Sequence, residues 1–329
     1  MPELLDSNGK TSSVSVILVN WNGLNFITPL FDSLARQTHK PHEIWFFDNS
    51  STDGSAEFVK TQYPDVNLVK FERNTGFSFP CNEGIRNSTG EYVMLLNLDV
   101  VLEDTFIEEL VKALDKNQTV GWVSGRLLKL TESGKSDSQI DCLGHHINRR
   151  RQVTERDYSR PFEWKYYNED QFVFGASACA ALYRRTMLDD VKLAGEYLDE
   201  DFFAYFEDVD LDWRAQQRGW KCIYASKAIG YHMRGGSRLI KQTDIAACFL
   251  ANRWLMLVKN DHLSHLLQDL IPFTISLAID IRSYILKNPL SLLLAANRFA
   301  RYLPKMLRKR RIIKSKKIVP STYLRKLIR

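Results

Sequence analysis

The sequence lacks a long apolar run, a Cys-x-x-Cys pair and an internal repeat. Its most apolar late stretch, 271–279, is bracketed by Asp269 and Asp280. It falls well short of the roughly 20 residues that a membrane-spanning helix needs, so none is expected. The five cysteines, Cys81, Cys142, Cys179, Cys222 and Cys248, are scattered and odd in number. That pattern disfavours a disulfide framework or a zinc site and fits a reducing cytoplasm. Residues 1–13 carry neither the basic nor the apolar stretch of a secretory signal and read as a flexible lead-in. No period of 20 to 50 residues recurs, which excludes a solenoid. Acidic residues are missing from the end of the chain. Beyond Ile281 stand 15 Lys and Arg and no Asp or Glu, so the net charge of +6 hides an acidic body with a basic tail. Such a tail points to an anionic partner. Nucleic acid fits poorly, because the tail lacks the interleaved aromatics of a stacking platform.

What is present is a core. With 329 residues, 44% of them hydrophobic, the chain can build one large domain, or one domain with an extension. Strand patterns over 14–20, 43–48, 67–71 and 92–96 alternate with helical spacing over 24–36, 55–62, 80–87 and 106–116. This alternation predicts an α/β fold with a mostly parallel sheet. Residues 131–171 are polar and weakly patterned, and read as a long loop, either a lid or a plain insertion. Regular structure resumes over 172–185, with a helix over 208–218 and a strand over 221–231. From 243 onward Leu-, Ile- and Phe-rich helical segments appear, with breaks expected at Pro272, Pro289 and Pro304.

The chemistry-bearing residues gather at predicted strand ends, where open α/β sheets bind ligands. The apolar strand 92–96 ends in Asn97-Leu98-Asp99, a place to hold a divalent metal and a diphosphate, although Asp also favours turns. The first strand ends in Asn20-Trp21-Asn22-Gly23, which serves either a nucleotide or a turn. Asp48 ends the second strand ahead of Asn49-Ser50-Ser51-Thr52-Asp53-Gly54-Ser55, where one Asp or Ser must cap a helix. A carboxylate at Asp48 can accept the imide N–H of uracil or thymine. Asn74, Gly76 and Asn82 follow the third strand, and small or amide residues there let a ligand approach the backbone. Glu207, Asp208, Asp210 and Asp212 crowd one helix start. Dipole and i,i+4 pairing explain one or two of them, and crowding raises carboxylate pKa, which suits a general base. His232 ends the next strand ahead of Gly235-Gly236-Ser237, either as a structural residue or as part of a metal or diphosphate site.

Taken in order, Val19 to Asn22, Asp48 to Ser55, Asn74-Thr75-Gly76-Phe77, Asn97-Leu98-Asp99, Phe174-Gly175-Ala176-Ser177-Ala178, Phe206 to Arg214 and His232 to Ser237 resemble the family-2 glycosyltransferases, the inverting GT-A type. They look most like its bacterial rhamnosyltransferase-like branch. The match spans about residues 14–260. The resemblance implies a GT-A fold, Rossmann-like, over 14–240, with a helical, amphipathic, basic extension over 241–329. It implies that Asp48 reads the pyrimidine of a dTDP- or UDP-sugar, with Asn20, Asn22 and Asn74 lining the nucleoside pocket. Asp99 and His232 would hold Mg²⁺ or Mn²⁺ on the diphosphate, and Asp208 would be the base, with Glu207 beside it. Many members carry Asp where this chain has Asn97, and an amide is a poorer ligand for a hard cation. Weaker metal binding than with two Asp, or coordination through water, is therefore expected, with Asn97 counted among the nucleotide contacts.

The implied acceptor is a lipid-linked saccharide on the inner face of the cell membrane. The apolar helices and a basic run at Arg308, Lys309, Arg310 and Arg311 fit binding in the plane of an anionic surface. The main competing reading is a non-catalytic membrane adaptor that binds a sugar nucleotide, which leaves the acidic cluster unexplained. A nucleotidyltransferase would need a Gly-rich, Arg-containing phosphate loop after the first strand, and a processive synthase would need several spanning helices; neither is in the sequence.

Overall fold

The computed structural model describes residues 12–130, 136–234 and 242–328. The lead-in up to residue 11, Gly235-Gly236-Ser237 and the expected 240/241 boundary lie outside the described residues.

The first half follows the expected alternation: β1 (Val14–Asn20), α1 (Leu24–Arg36), β2 (Glu43–Asp48), α2 (Ser55–Gln62), β3 (Asn67–Lys70), α3 (Ser78–Asn87), β4 (Tyr92–Leu96), β5 (Val100–Leu102) and α4 (Phe106–Asp115). Strands β3, β2, β1 and β4 run parallel and adjacent. The side chains of β1 and β4 are mostly apolar and buried because both faces of the sheet are covered there, whereas β3 at the edge is half exposed. Val14, Val16 and Leu18 of β1 pack on one face with Ile27, Leu30, Ile107 and Leu110 of α1 and α4. Ile17 packs on the other face with Ile85 of α3 and with Leu211 from later in the chain.

Beyond β4 the sheet becomes mixed. It continues through β11 (Ala180–Arg184), β6 (Val120–Leu130), β12 (Lys221–His232) and β10 (Gln171–Val173). The segment read as a long loop is built instead. It holds β7 (Ser136–Cys142) against β6, the β8 (His145–Ile147) and β9 (Val153–Glu155) hairpin, and α5 (Trp164–Tyr167). Among its apolar residues Ile140, Cys142, Leu143 and Ile147 are fully buried and dock it on the core. Helix α6 (Arg185–Val191) and a 3₁₀ turn at Glu200–Phe202 lead into α7 (Glu207–Gln217).

The C-terminal segment forms α8 (Gln242–Asn260), α9 (Leu263–Gln268), α10 (Leu270–Lys287), α11 (Pro289–Lys316) and α12 (Ser321–Leu327). Pro272 sits in the first turn of α10, and Pro289 starts α11, a position suited to proline. Pro304 does not break the chain as expected. α11 passes straight through it, held along its length by the buried Ala295, Met306 and Ile313. Among the described residues no helix is long and apolar enough to cross a membrane.

Candidate active site

A cavity of about 540 Å³ opens at the carboxyl ends of β1 and β4, a size suited to a small-molecule ligand. Its lining includes Asn49, Asn74 and Gly76 after β2 and β3, Asn97, Asp99 and His232 after β4 and at the end of β12, which form what we call its floor, and His145, Glu155, Glu207 and Asp208 from β8, β9 and α7.

The amides and Asp48 divide between support and lining. Asn20 is fully buried below the cavity. Its Nδ2 donates to Asp48 Oδ1 at 2.8 Å and to Ser55 Oγ at 2.6 Å, and its Oδ1 accepts from the Gly23 N–H at 3.0 Å. Parallel pairing of β1 with β2 places Asn20 opposite Asp48. Asp48, also buried, accepts the Ser51 N–H and so shapes the 48–55 turn instead of lining the cavity wall. Asn22 accepts the Thr52 N–H at 2.8 Å and closes the same turn. Asn82 is spent on Leu198 and Glu200, tying α3 to the approach to α7. Asn74 does line the cavity, and its Oδ1 accepts from the Asn49 Nδ2. Asn49 itself was not singled out from the sequence. It also grips Thr75 N and Gly76 O at 2.8 and 2.7 Å. Gly76 has φ +84°, and a Cβ there would lie 2.3 Å from Phe203 O, so glycine is required.

Asp99 and His232 are joined by backbone register. β5 pairs antiparallel with the end of β12, setting Val100 opposite His232, and the Met233 N–H donates to Asp99 O at 2.9 Å. His232 Nε2 stands 3.2 Å from Asp99 Oδ1, while Nδ1 stands 2.8 Å from Asp141 Oδ2. Burial opposes charge on this imidazole, but the two carboxylates outweigh it and raise His232 to about 9. Arg234 also pairs with Asp141 and lines the cavity. An imidazole whose second nitrogen is fixed by a buried carboxylate is the usual state of a metal-ligating histidine. Among the described residues no group of three or more His, Cys, Asp or Glu is arranged to hold a metal. Asp99 and His232 would therefore share a cation with diphosphate oxygens and water, as Mg²⁺ sites commonly do. Asn97 borders this floor, its N–H bound to Cys179 O.

The acidic cluster resolves into different roles. Asp210 is fully buried and faces away, paired with Arg214 and Lys259. Asp212, also fully buried, meets His145 Nδ1 at 2.6 Å. Glu207 and Asp208 face the cavity. Asp208 accepts the Ala178 N–H at 3.2 Å and the Val209 N–H at 2.8 Å. Glu207 Oε2 is buried without a hydrogen-bond partner, and burial, helped by the charge of Asp208, pushes this carboxyl up to about 8. The Phe174 to Ala178 motif supports the cluster: Ala176 N–H reaches Asp212, and a Cβ on Gly175 would lie 1.7 Å from Asp212 Oδ2.

The loop before α7 is strained. Phe203, Tyr205 and Phe206 all hold φ between 66° and 72°, costly for side chains of this size. The C-terminal helices fix it. Asn252 of α8 donates to Phe202, Ala204 and Tyr205 carbonyls at 2.8 to 3.0 Å, and Arg298 of α11 reaches Asp201 O and Phe202 O.

Residues 15–192, more than half of the chain, match glycosyl transferase family 2. The chain belongs to this family. This family-2 chain is 23% identical over 197 residues to the uncharacterized glycosyltransferase YwdF of Bacillus subtilis, covering 59% of this chain and 65% of that one. It is 26% identical over 249 residues to the N-acetylglucosaminyl-diphospho-decaprenol L-rhamnosyltransferase of Mycobacterium tuberculosis, covering 69% and 78%. Against three of the curated relatives, YwdF among them, it spans only 65%, 21% and 34% of their length. In solved structures, it resembles the mannosyltransferase PcManGT from Pyrobaculum calidifontis in complex with GDP-Man and Mn²⁺, with TM-score 0.53 and 16% identity over 93% of this chain and 86% of that one. It resembles S. aureus TarS 1–349 in complex with UDP-GlcNAc, with TM-score 0.56 and 17% identity over 92% and 88%. These likenesses establish the α/β GT-A-like fold, with a mostly parallel central sheet and C-terminal helices that pack together.

Proposed function

We propose that this family-2 chain is an inverting glycosyltransferase that moves a sugar from a nucleoside-diphosphate donor to a hydroxyl acceptor. The observation that carries this reading is one cavity lined both by Asp99 with His232 and by Asp208 with Glu207 at the N-terminus of α7. The acceptor oxygen attacks the anomeric carbon as its bond to the diphosphate breaks, with inversion. Asp208 takes the acceptor proton. A Mg²⁺ or Mn²⁺ held by Asp99 and His232 would neutralise charge on the departing diphosphate. Asn49 and Asn74 shape the nucleotide side. Asp48 and Asn20, both buried beneath it, support that turn, so pyrimidine reading by Asp48 would require the turn to open.

A dTDP- or UDP-linked donor is proposed, with UDP-GlcNAc in the TarS complex as support, and rhamnose as a candidate sugar, with the name of the mycobacterial relative as support; GDP-Man in PcManGT argues for including guanosine donors in the test. The relative's name also supports a lipid-linked acceptor. Membrane association is proposed through α10 and the start of α11, where Ile271, Ile275, Ile279, Leu286, Leu290 and Leu293 stand exposed. Patches of this kind mark interaction surfaces. The test is nucleoside diphosphate release from dTDP-, UDP- and GDP-sugars with Mg²⁺, Mn²⁺ or EDTA, in the presence of lipid extract. Metal-dependent release from one donor is expected, with none from Asp208→Asn, which still binds that donor. Loss of donor binding in that variant would remove Asp208 from the base role.

A further inference from the structure

We propose that His145, anchored by Asp212, is a positioning residue that keeps Asp208 ionised and turned toward the acceptor; this rests on the reading of Asp208 as the base. His145 begins β8 in the segment that the sequence pattern leaves as a loop, and its side chain is buried. Its ring lies between two carboxylates one helical turn apart on α7. Nδ1 is 2.6 Å from Asp212 Oδ2, and Nε2 is 3.7 Å from Asp208 Oδ2. The main chain fixes the ring as well: the His145 N–H donates to Gly175 O at 2.8 Å. Asp212 cannot swing away, because Ala176 N–H holds its other oxygen and Gly175 leaves it just enough room.

The surroundings favour a cation at this ring. Asp208, Asp212 and Glu207 face it from α7, and Glu155 of β9 stands 3.9 Å from Nε2. Cys142, at the end of β7, donates its thiol to Glu155. Arg234 acts on Glu155 from beyond β12, and the buried Tyr183 and Cys81 lie near the same α7 carboxylates. Burial opposes charge on His145, but the carboxylates outweigh it and raise its pKa well above the ordinary histidine value. A neighbouring imidazolium favours the ionised form of a carboxylate. Asp208 shares its helix turn with Glu207 and also accepts from the Ala178 and Val209 N–H groups, so the ring of His145 is the cation set beside it.

The test is a ¹⁵N-histidine NMR titration of the full chain, with the His145 signals assigned by their loss in His145→Gln. Coupling between the two groups is reciprocal. Asp208→Asn is therefore expected to lower the His145 midpoint by about one pH unit. Asp208→Glu, which keeps the charge, is expected to hold it near the wild-type value and serves if the first variant misfolds. With the donor that supports turnover, His145→Gln should move the acid limb of kcat/KM up by about one pH unit and leave the donor KM unchanged. His145→Ala should cost at least about tenfold in kcat, and His145→Gln should recover part of that loss. A His145 midpoint that ignores Asp208→Asn, or an acid limb that stays in place in His145→Gln, would overturn the role of His145 while Asp208→Asn remains inactive. Undiminished turnover in Asp208→Asn would instead overturn the base assignment itself.

Discussion

Asp141 stands directly behind His232, its Oδ2 2.8 Å from Nδ1, and is itself fully buried. The ring can thus present only Nε2 to the cavity. Asp141→Asn is expected to weaken Mn²⁺ binding in the presence of a nucleoside diphosphate by about 10- to 100-fold, the usual cost of removing such a partner. Titration calorimetry checks this, and unchanged affinity would place the metal elsewhere.

Glu207 makes the folded state pH-sensitive. Its carboxyl keeps its proton up to about 8 in the folded chain, against 4.5 as the ordinary value. Between those limits the folded state holds the extra proton, so stability falls as pH rises through that window. Glu207→Gln removes this dependence. Its melting temperature should exceed that of the wild type at about pH 9 and match it near pH 4. An equal difference at both ends would mean that the carboxyl is already ionised when folded.

Asn252 lies far from the cavity in sequence, yet it holds three carbonyls of the strained 202–205 loop. Asn252→Ala should cost about 1–3 kcal/mol by urea unfolding and reduce kcat more than donor affinity, because the loop sets the start of α7. A fall in donor affinity alone would contradict this.

The basic run at 308–311 is not one surface. Lys309 turns inward to Asp199 at 2.6 Å and Asp201 at 3.0 Å, and Arg310 reaches Val258 O. Arg308 and Arg311 remain exposed. Lys309→Ala should destabilise by about 2 kcal/mol, below the cost of a wholly orphaned buried charge because Lys259 still pairs with Asp199. Arg308→Ala should leave stability alone and weaken binding to anionic vesicles by roughly 1 kcal/mol. The reverse pattern would restore the whole run to the membrane.

The parallel half of the fold was legible because its period is short and its strands are buried on both faces. β1, α1, β2, α2 and β4 fall at the bounds that the pattern predicts. The segment 136–171 was not legible. Its strands are three to seven residues long and dock through scattered apolar side chains, too few to set a period. With it were hidden Asp141, His145 and Glu155. The only signal for them was Cys142-Leu143 beside Asp141, an apolar step inside a polar stretch. That Asp99 and His232, at strand ends, and Asp208, in the first turn of α7, line one cavity was legible by position. Which amides line the cavity was not, because Asn20 and Asn49 differ only in which way the side chain turns.

Arg298, Lys309 and Arg325 all bind groups made much earlier in the chain: the Asp201 and Phe202 carbonyls, Asp199 and Asp269. During synthesis the parallel sheet can therefore assemble while the loop carrying Phe203 to Phe206 still lacks its clamp. The edge that carries Asp208 is therefore set only once α8 and α11 have been made, after the parallel sheet on which it rests.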